Sequence, residues 1–449
     1  MISDPSLLDI VEAGHRLRAK TLTSEALTDA CLANIKARNG ELRAFITVTG
    51  DSARAAAQLA DRELASGHDR GPLHGIPIAL KDLIDQAGVP TTAASHVRPL
   101  TRVAADAIIT ARLKAAGAVL IGKTNLHEFA LGTTSDDSAF GAVRNPLDTS
   151  RSAGGSSGGS AAALVAGMAL GAIGTDTGGS IRIPSAACGL VGLKPGFGEV
   201  PVDGVVPLSA TLDHVGPITR TVADAAAIHG VLARVTLRAL QPPSIAKVRL
   251  GRLTGFFEDL LQPDVRAAYE SALGRLTAAG ATITSVSVPH AADAAAIYLH
   301  ICLPEGAAYH AETLERCPQR YTPNVRLRFE MGRYILAEDY VRAMTARQVL
   351  EHEVDAALAE VDALVLPTLP IVAPTLGADS VDVGNRREAL RPVMLRLTQP
   401  FNLSRHPAMA LPCATEGLPV SLQVVGKHAR TGALLDLCAA LASIANTPG

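Results

Sequence analysis

The sequence predicts an α/β protein, a large, mixed and twisted β-sheet covered by α-helices. Three observations carry that prediction. Short apolar runs bounded by Gly or Pro alternate with stretches of helical apolar spacing. Of 449 residues, 48% are hydrophobic and 19% charged, enough material for a large core. After a long interval that reads as helix, the last eighty or so residues return to strand-like text, so a single sheet can close from both ends of the chain.

The elements follow in order. Residues 1–70 form an N-terminal helical segment, with helices predicted at ALTDACLANIKARN (26–39) and DSARAAAQLADRELASG (51–67). Residues 71–230 hold the glycine motifs, with buried strands at GIPIALK (75–81) and GAVLIG (117–122) and an alanine-rich helix over 161–170. QPPSIAK (241–247) marks a boundary, and residues 251–360 read as long helices. Residues 361–449 are expected to complete the sheet, through ALVLPTLPIV (363–372) and FNLSRHPAMALPCATEGLPVSLQVVG (401–426), with a turn at Glu416 and Gly417. No internal repeat interrupts this order, and one domain over 1–449 is expected.

Composition excludes several classes. A formal net charge of −2 supplies no basic field for a phosphate backbone or an anionic membrane, so neither nucleic acid nor membrane is an expected partner. The six cysteines (Cys31, Cys188, Cys302, Cys317, Cys413, Cys438) form no CxxC pair or Cys/His cluster. That pattern predicts reduced thiols, a cytoplasmic location and no metal or other cofactor. MISDPSLLDIVEAGHRLRAK lacks the basic-then-apolar layout of a secretory signal, and no apolar run has spanning length.

The most informative stretch is SRSAGGSSGGS (150–160), whose positions Gly154 to Ser160 are all glycine or serine. A linker would have polar flanks; this run opens directly into an apolar helix, where backbone N–H groups can face an anion or an oxyanion. GAVLIGKT (117–124) matches the phosphate-loop pattern, yet its glycines bracket an apolar strand and leave no loop to wrap phosphates. GGSSG and GSSGG match a hydrolase elbow centred on Ser156 or Ser157. That motif needs a strand before it, and RNPLDTSRSA (144–153) reads as a poor one. The remaining reading joins the run to GIPIALKDLID (75–85) and DTGGS (176–180). Lys81 ends a buried strand, where its pKa should fall unless it reaches solvent or pairs with Asp82 or Asp85.

Lys81, GGSSGGS and DTGGS followed by IRIPSAACGLVGLKP resemble the amidase signature family, in the family's order. The likeness is dense over residues 70–230 and looser near the C-terminus. Lys81 to Ser156 spans 75 residues and Ser156 to Ser180 spans 24. The resemblance implies a Ser-cisSer-Lys triad. Ser180 is then the acylated nucleophile, Ser156 the bridging serine joined to Gly155 by a cis peptide, and Lys81 the base. It also implies an oxyanion hole at Thr177, Gly178, Gly179 and Ser180. Ser157 is a candidate donor to Lys81; Asp176 and Arg182 suggest a structural ion pair, and Asp213 a support for the loops.

Amide hydrolysis needs an activated hydroxyl, a proton for the leaving nitrogen and donors for the tetrahedral oxyanion. A neutral lysine relaying protons through one serine to another meets the first two needs. The expected activity is a serine hydrolase of the stand-alone amidase type, forming an acyl-enzyme with small amides and extending to carbamates (a urethanase activity) or esters. The alternatives are a glutamine-hydrolysing subunit of an amidotransferase and, further off, an α/β-hydrolase-type esterase. A homodimer is compatible with these readings. Nine of fourteen aromatic residues, among them Tyr298, Tyr321 and Phe329, lie within 251–340. They suggest either an aryl-accepting cleft or simple packing of the long helices.

Overall fold

The computed structural model describes residues 4–236 and 238–446. Its strands in the N-terminal half are β1 (Phe45–Val48), β2 (Pro77–Lys81), β3 (Val119–Thr124), β4 (Arg144–Asn145), β5 (Asp148–Ser152), β6 (Gly171–Asp176), β7 (Val191–Lys194) and β8 (His214–Thr219). The remainder are β9 (Arg249–Leu253), β10 (Thr282–Val286), β11 (Ala363–Pro367), β12 (Ser380–Val383), β13 (Arg386–Ala389), β14 (Ala408–Cys413) and β15 (Val420–Val425). Eleven of them form one sheet in the order β1-β3-β2-β6-β8-β7-β14-β15-β11-β9-β10. β2 runs parallel to β3 and β6, and β9 parallel to β10 and β11; the other pairings are antiparallel. The sheet is therefore mixed, as the sequence predicts.

Helices cover both faces, which is why the central strands read as continuous apolar runs: every residue of β2, β3, β6, β8, β11 and β15 is buried. The two N-terminal helices run Ser24–Leu42 and Gly50–Ala65. The first is capped by Thr23, whose hydroxyl accepts from the Ala26 N–H at 3.1 Å.

Several boundaries differ from the sequence expectation. The alanine-rich helix spans Gly158–Val165, because Gly167 adopts a left-handed φ of +68° and turns the chain towards β6. β3 includes Gly122, Lys123 and Thr124, so the GK[ST] end of the phosphate-loop match lies inside a buried strand. Residues 148–152 do form a strand, contrary to the poor-strand reading. It belongs to a separate two-stranded hairpin and stands apart from the main sheet.

The interval 251–360 contains the long helices Ala294–Arg316, Pro323–Gly332 and Ala337–Ala357, but β9 and β10 lie at its start. β10 escapes a periodicity reading because it is a sheet-edge strand, TITSV, with little buried apolar surface. At the far end, residues predicted as strand include the helix Thr431–Ala445. Among the described residues no helix is long and apolar enough to cross a membrane.

Candidate active site

Parallel pairing of β2 with β6 brings Lys81, the last residue of β2, beside Thr175. Lys81 Nζ donates to Ser156 Oγ at 2.7 Å and to Thr175 Oγ1 at 2.7 Å. The side chain is fully buried. Burial pushes its pKa down from 10.5 to about 7, against the opposing pull of the Asp213 and Asp176 charges. Asp82 does not neutralise it, because Asp82 Oδ1 pairs with Lys123 Nζ at 2.9 Å, both groups being buried. The lysine of the apparent phosphate loop is thus the counter-ion of the aspartate next to Lys81.

The peptide bond Gly155–Ser156 is cis. The Ser156 carbonyl accepts from the His127 N–H and from Ser135 Oγ, each at 3.1 Å. Ser135 Oγ also accepts from the Gly158 N–H at 3.1 Å, so one hydroxyl ties both ends of the turn. At Gly155 any side chain would run into backbone, since a Cβ would lie 2.7 Å from Thr134 N and 2.8 Å from Ser135 N. Ser157 differs from its expected role. Its hydroxyl lies along the Thr175 backbone, donating to the carbonyl at 3.3 Å and accepting from the N–H at 3.4 Å. The further partner of Lys81 is Thr175, a strand residue whose type and spacing attract no notice in the sequence.

Ser180 sits between β6 and the short helix Arg182–Cys188 and is 5% exposed. The Ser157 N–H donates to its carbonyl at 3.3 Å, which joins the two glycine loops. Among the described residues, the Ser180 hydroxyl and the backbone N–H groups of Thr177, Gly178, Gly179 and Ser180 make no hydrogen bond. Four consecutive unengaged donors beside a hydroxyl are what an incoming carbonyl oxygen requires.

The loop is held from its far side. Thr398 Oγ1 donates to the Gly178 carbonyl at 2.6 Å, and Ile183 N–H donates to that of Gly179 at 2.7 Å. Gly179 has φ +142°, and a Cβ there would collide with Thr398. Thr177 Oγ1 donates to Asp213 at 2.6 Å, and Asp213 also accepts from the Leu208 and Ser209 N–H groups at 2.9 and 3.1 Å. Burial nonetheless raises the Asp213 carboxyl to about 6.

Asp176 and Arg182 form the expected ion pair, through two bonds of 3.0 and 2.9 Å. Burial acts to raise the Asp176 pKa, but the adjacent guanidinium outweighs it and holds the carboxyl below its usual range. Arg182 further donates to Thr398 O, Gln423 and Asn402, which anchors the loop to the C-terminal part of the sheet.

A cleft of about 800 Å³ opens beside the cis turn. His127, Thr133 and Thr134 line it and also reach the cis turn, His127 through its N–H to Ser156 and the threonines through their contact with Gly155. The cleft is polar, with Asp136, Asp137, Arg328 and Arg391 in its wall, and no Phe or Tyr is among its lining residues. Of the aromatic residues of 251–340, Tyr321 and Phe329 pack with Phe129 and His310, with centroids 4.2 to 6.2 Å apart. Tyr298, another aromatic residue of that interval, approaches the loop, its hydroxyl 2.9 Å from where a Gly178 Cβ would stand.

Comparison with known proteins gives a consistent result. The family described as Amidase matches residues 26–435. A glutamyl-tRNA(Gln) amidotransferase subunit of Chloroflexus aggregans is 39% identical over 93% of this chain and 92% of its own. An amidase of Pseudomonas putida is 39% identical over 92% and 90%. Among solved structures, one described as an amidase superposes with a TM-score of 0.91 at 39% identity, covering 97% of this chain and 99% of its own.

Proposed function

The chain belongs to the amidase family and is a hydrolase of carbon–nitrogen bonds, and on that premise we propose that it cleaves small amide-like substrates through an acyl-enzyme on Ser180. The observation that carries the mechanism is the 2.7 Å contact between buried Lys81 Nζ and Ser156 Oγ. A lysine whose pKa is about 7 is substantially neutral at physiological pH and can accept a proton.

In the proposed reaction Lys81 takes the Ser156 hydroxyl proton as Ser156 takes that of Ser180. Ser180 Oγ forms a bond to the substrate carbonyl carbon, and the carbonyl electron pair moves to oxygen. The N–H groups of Thr177, Gly178, Gly179 and Ser180 then stabilise the oxyanion. The proton held at Lys81 returns through Ser156 to the leaving nitrogen, the carbon–nitrogen bond breaks, and amine or ammonia departs. Water repeats the sequence on the acyl-enzyme, releasing the carboxylic acid and restoring Ser180. Carbamates and activated esters fit the same steps, because they present the same carbonyl.

A fluorophosphonate should label Ser180, and the isolated chain should hydrolyse one or more of an alkyl amide, an aryl amide and an aryl carbamate, with no loss in EDTA. Failure to label Ser180 would overturn the assignment. A second reading is favoured by the 39% identity, over nearly the whole chain, to the amidotransferase subunit of Chloroflexus aggregans. The same triad would then release ammonia from glutamine for a partner. Turnover of glutamine alone, appearing only with added amidotransferase subunits, would decide for that reading.

A further inference from the structure

Outside the catalytic loops, one group of side chains has no part in the proposed chemistry. Among the described residues, the donor atoms of Asp355, His406 and His428 all lie within 4.8 Å of one another. They come from three separated segments. Asp355 stands on the helix Ala337–Ala357, His406 between the helix Pro400–Leu403 and β14, and His428 in the turn between β15 and the helix Thr431–Ala445. His406 Nε2 is 3.1 Å from Asp355 Oδ1. His428 Nε2 is 4.0 Å from that same oxygen and 3.3 Å from Oε1 of Glu351, one turn earlier on the helix.

Hydrogen bonding accounts for only part of this arrangement. The His406 ring is fully buried, and its Nδ1 lies 3.0 Å from Ser404 Oγ, which fixes the ring with Nε2 towards Asp355. His428 Nε2 is buried too, yet it has no hydrogen-bond partner although two carboxylates face it. A buried ring nitrogen left unpaired is unfavourable, and an ion shared with the carboxylates would pair it. The spacing suits such an ion. With zinc bonds of about 2.0–2.2 Å to nitrogen and oxygen, tetrahedral donors stand about 3.3–3.6 Å apart, inside the range of these contacts. The two rings stack with centroids 3.7 Å apart, closer than two imidazoles on one ion, so an entering ion must separate them. His428, with a third of its side chain exposed, is the ring with room to swing. Cations close by are engaged elsewhere, Lys194 Nζ with the His406 and Pro195 carbonyls at 2.6 and 3.1 Å and Arg347 Nε with the Leu403 carbonyl at 3.1 Å.

We propose that His406, His428 and Asp355 bind a divalent transition-metal ion of the zinc type, with Glu351 as an outer carboxylate and water in the remaining position. Imidazole ligands favour zinc, cobalt and nickel over magnesium and calcium, which take oxygen donors. The ion joins the helix Ala337–Ala357 to the two segments that flank β14 and β15. Its ligands include none of Lys81, Ser156 and Ser180, so the site is structural and independent of the hydrolase reading.

Calorimetric titration of the EDTA-stripped full chain with Zn²⁺, and separately with Mg²⁺, tests the site. One Zn²⁺ per chain should bind, and Mg²⁺ at the same concentrations should not. His428→Ala and Asp355→Asn should each weaken Zn²⁺ binding by about 10²-fold, and Glu351→Gln by about tenfold. Melting curves identify any variant that fails to fold. X-ray absorption of the Zn²⁺-loaded parent then supplies the ligand count without a substitution, and two imidazoles are expected. Absence of stoichiometric Zn²⁺ binding, equal affinity for Mg²⁺, binding unchanged in the folded His428 and Asp355 variants, or fewer than two imidazoles on the ion would overturn the assignment.

Discussion

Thr175 Oγ1 lies 2.7 Å from Lys81 Nζ across the parallel pairing of β2 and β6, and the same nitrogen is 2.7 Å from Ser156 Oγ. A neutral amine has two N–H donors and one lone pair. With one N–H directed at Thr175, rotation of the amine is restricted and the lone pair can face Ser156. Thr175→Val should therefore lower kcat/KM about tenfold without abolishing it, as expected for a hydrogen bond of about 1 kcal/mol or slightly more. Because the lost acceptor favours the ammonium form, the midpoint of the pH profile should also move to lower pH. An unchanged midpoint would reduce Thr175 to a packing residue.

The pH dependence of activity follows from the working form of Lys81. Only the neutral amine accepts a proton, so kcat/KM should rise with pH through a midpoint near 7 and level off above it. Rates measured from pH 5 to 9.5 with a neutral amide check this. A rate that falls over the same interval would point to a base other than lysine.

Stability should register the same group. Native Lys81 titrates near 7 and the unfolded side chain near 10.4, so between those values the unfolded chain binds more protons. Its destabilising effect is complete below pH 7 and fades as pH rises towards 10. The difference in Tm between Lys81→Met and the parent should thus become less favourable to the variant from pH 6.5 to 10. A difference independent of pH would mean that burial leaves the titration of the lysine unchanged.

Leaving-group chemistry separates a general acid from a mere activator. If the proton held by Lys81 returns to the leaving nitrogen, Lys81→Ala should harm amides more than nitrophenyl esters, whose phenolate departs unprotonated. An extra loss of about 10²-fold on the amide is expected. Ser180→Ala should remove both activities. Equal losses on matched substrates, with acylation rate-limiting for each, would exclude the acid role.

The buried pair Asp82–Lys123 yields a test of the strand assignment at GAVLIGKT. Lys123→Ala leaves the Asp82 carboxylate without its counter-ion and should cost about 3–5 kcal/mol in urea unfolding. Asp82→Asn combined with Lys123→Met should recover much of that loss, and ATP should leave the parent's Tm unchanged. Stabilisation by ATP would reopen the phosphate-loop reading.

Lys81, Ser156 and Ser180 were legible through the resemblance of their motifs to the amidase signature family, and each motif stands where the chain meets an unusual local requirement. Gly155 and Gly179 occur where a Cβ would strike Thr134 or Thr398, and Lys81 ends an apolar strand with both faces covered. The glycines and the strand-ending lysine are therefore visible in the sequence, as are the buried central strands. The partners of those residues are not. Thr175 is 94 residues from Lys81, and Thr398 is 220 from Gly178. Which threonine meets which loop depends on the strand order, and an isolated threonine in a strand looks like any other. The edge strand β10 was hidden for the related reason that half-exposed residues need no apolar pattern. Tertiary structure likewise decided that Tyr321 and Phe329 pack against Phe129 and His310, while Arg328 and Arg391, 63 positions apart, share one polar cleft. Charge in a wall is a property of the surfaces that fold together, and it exists only after the chain has closed.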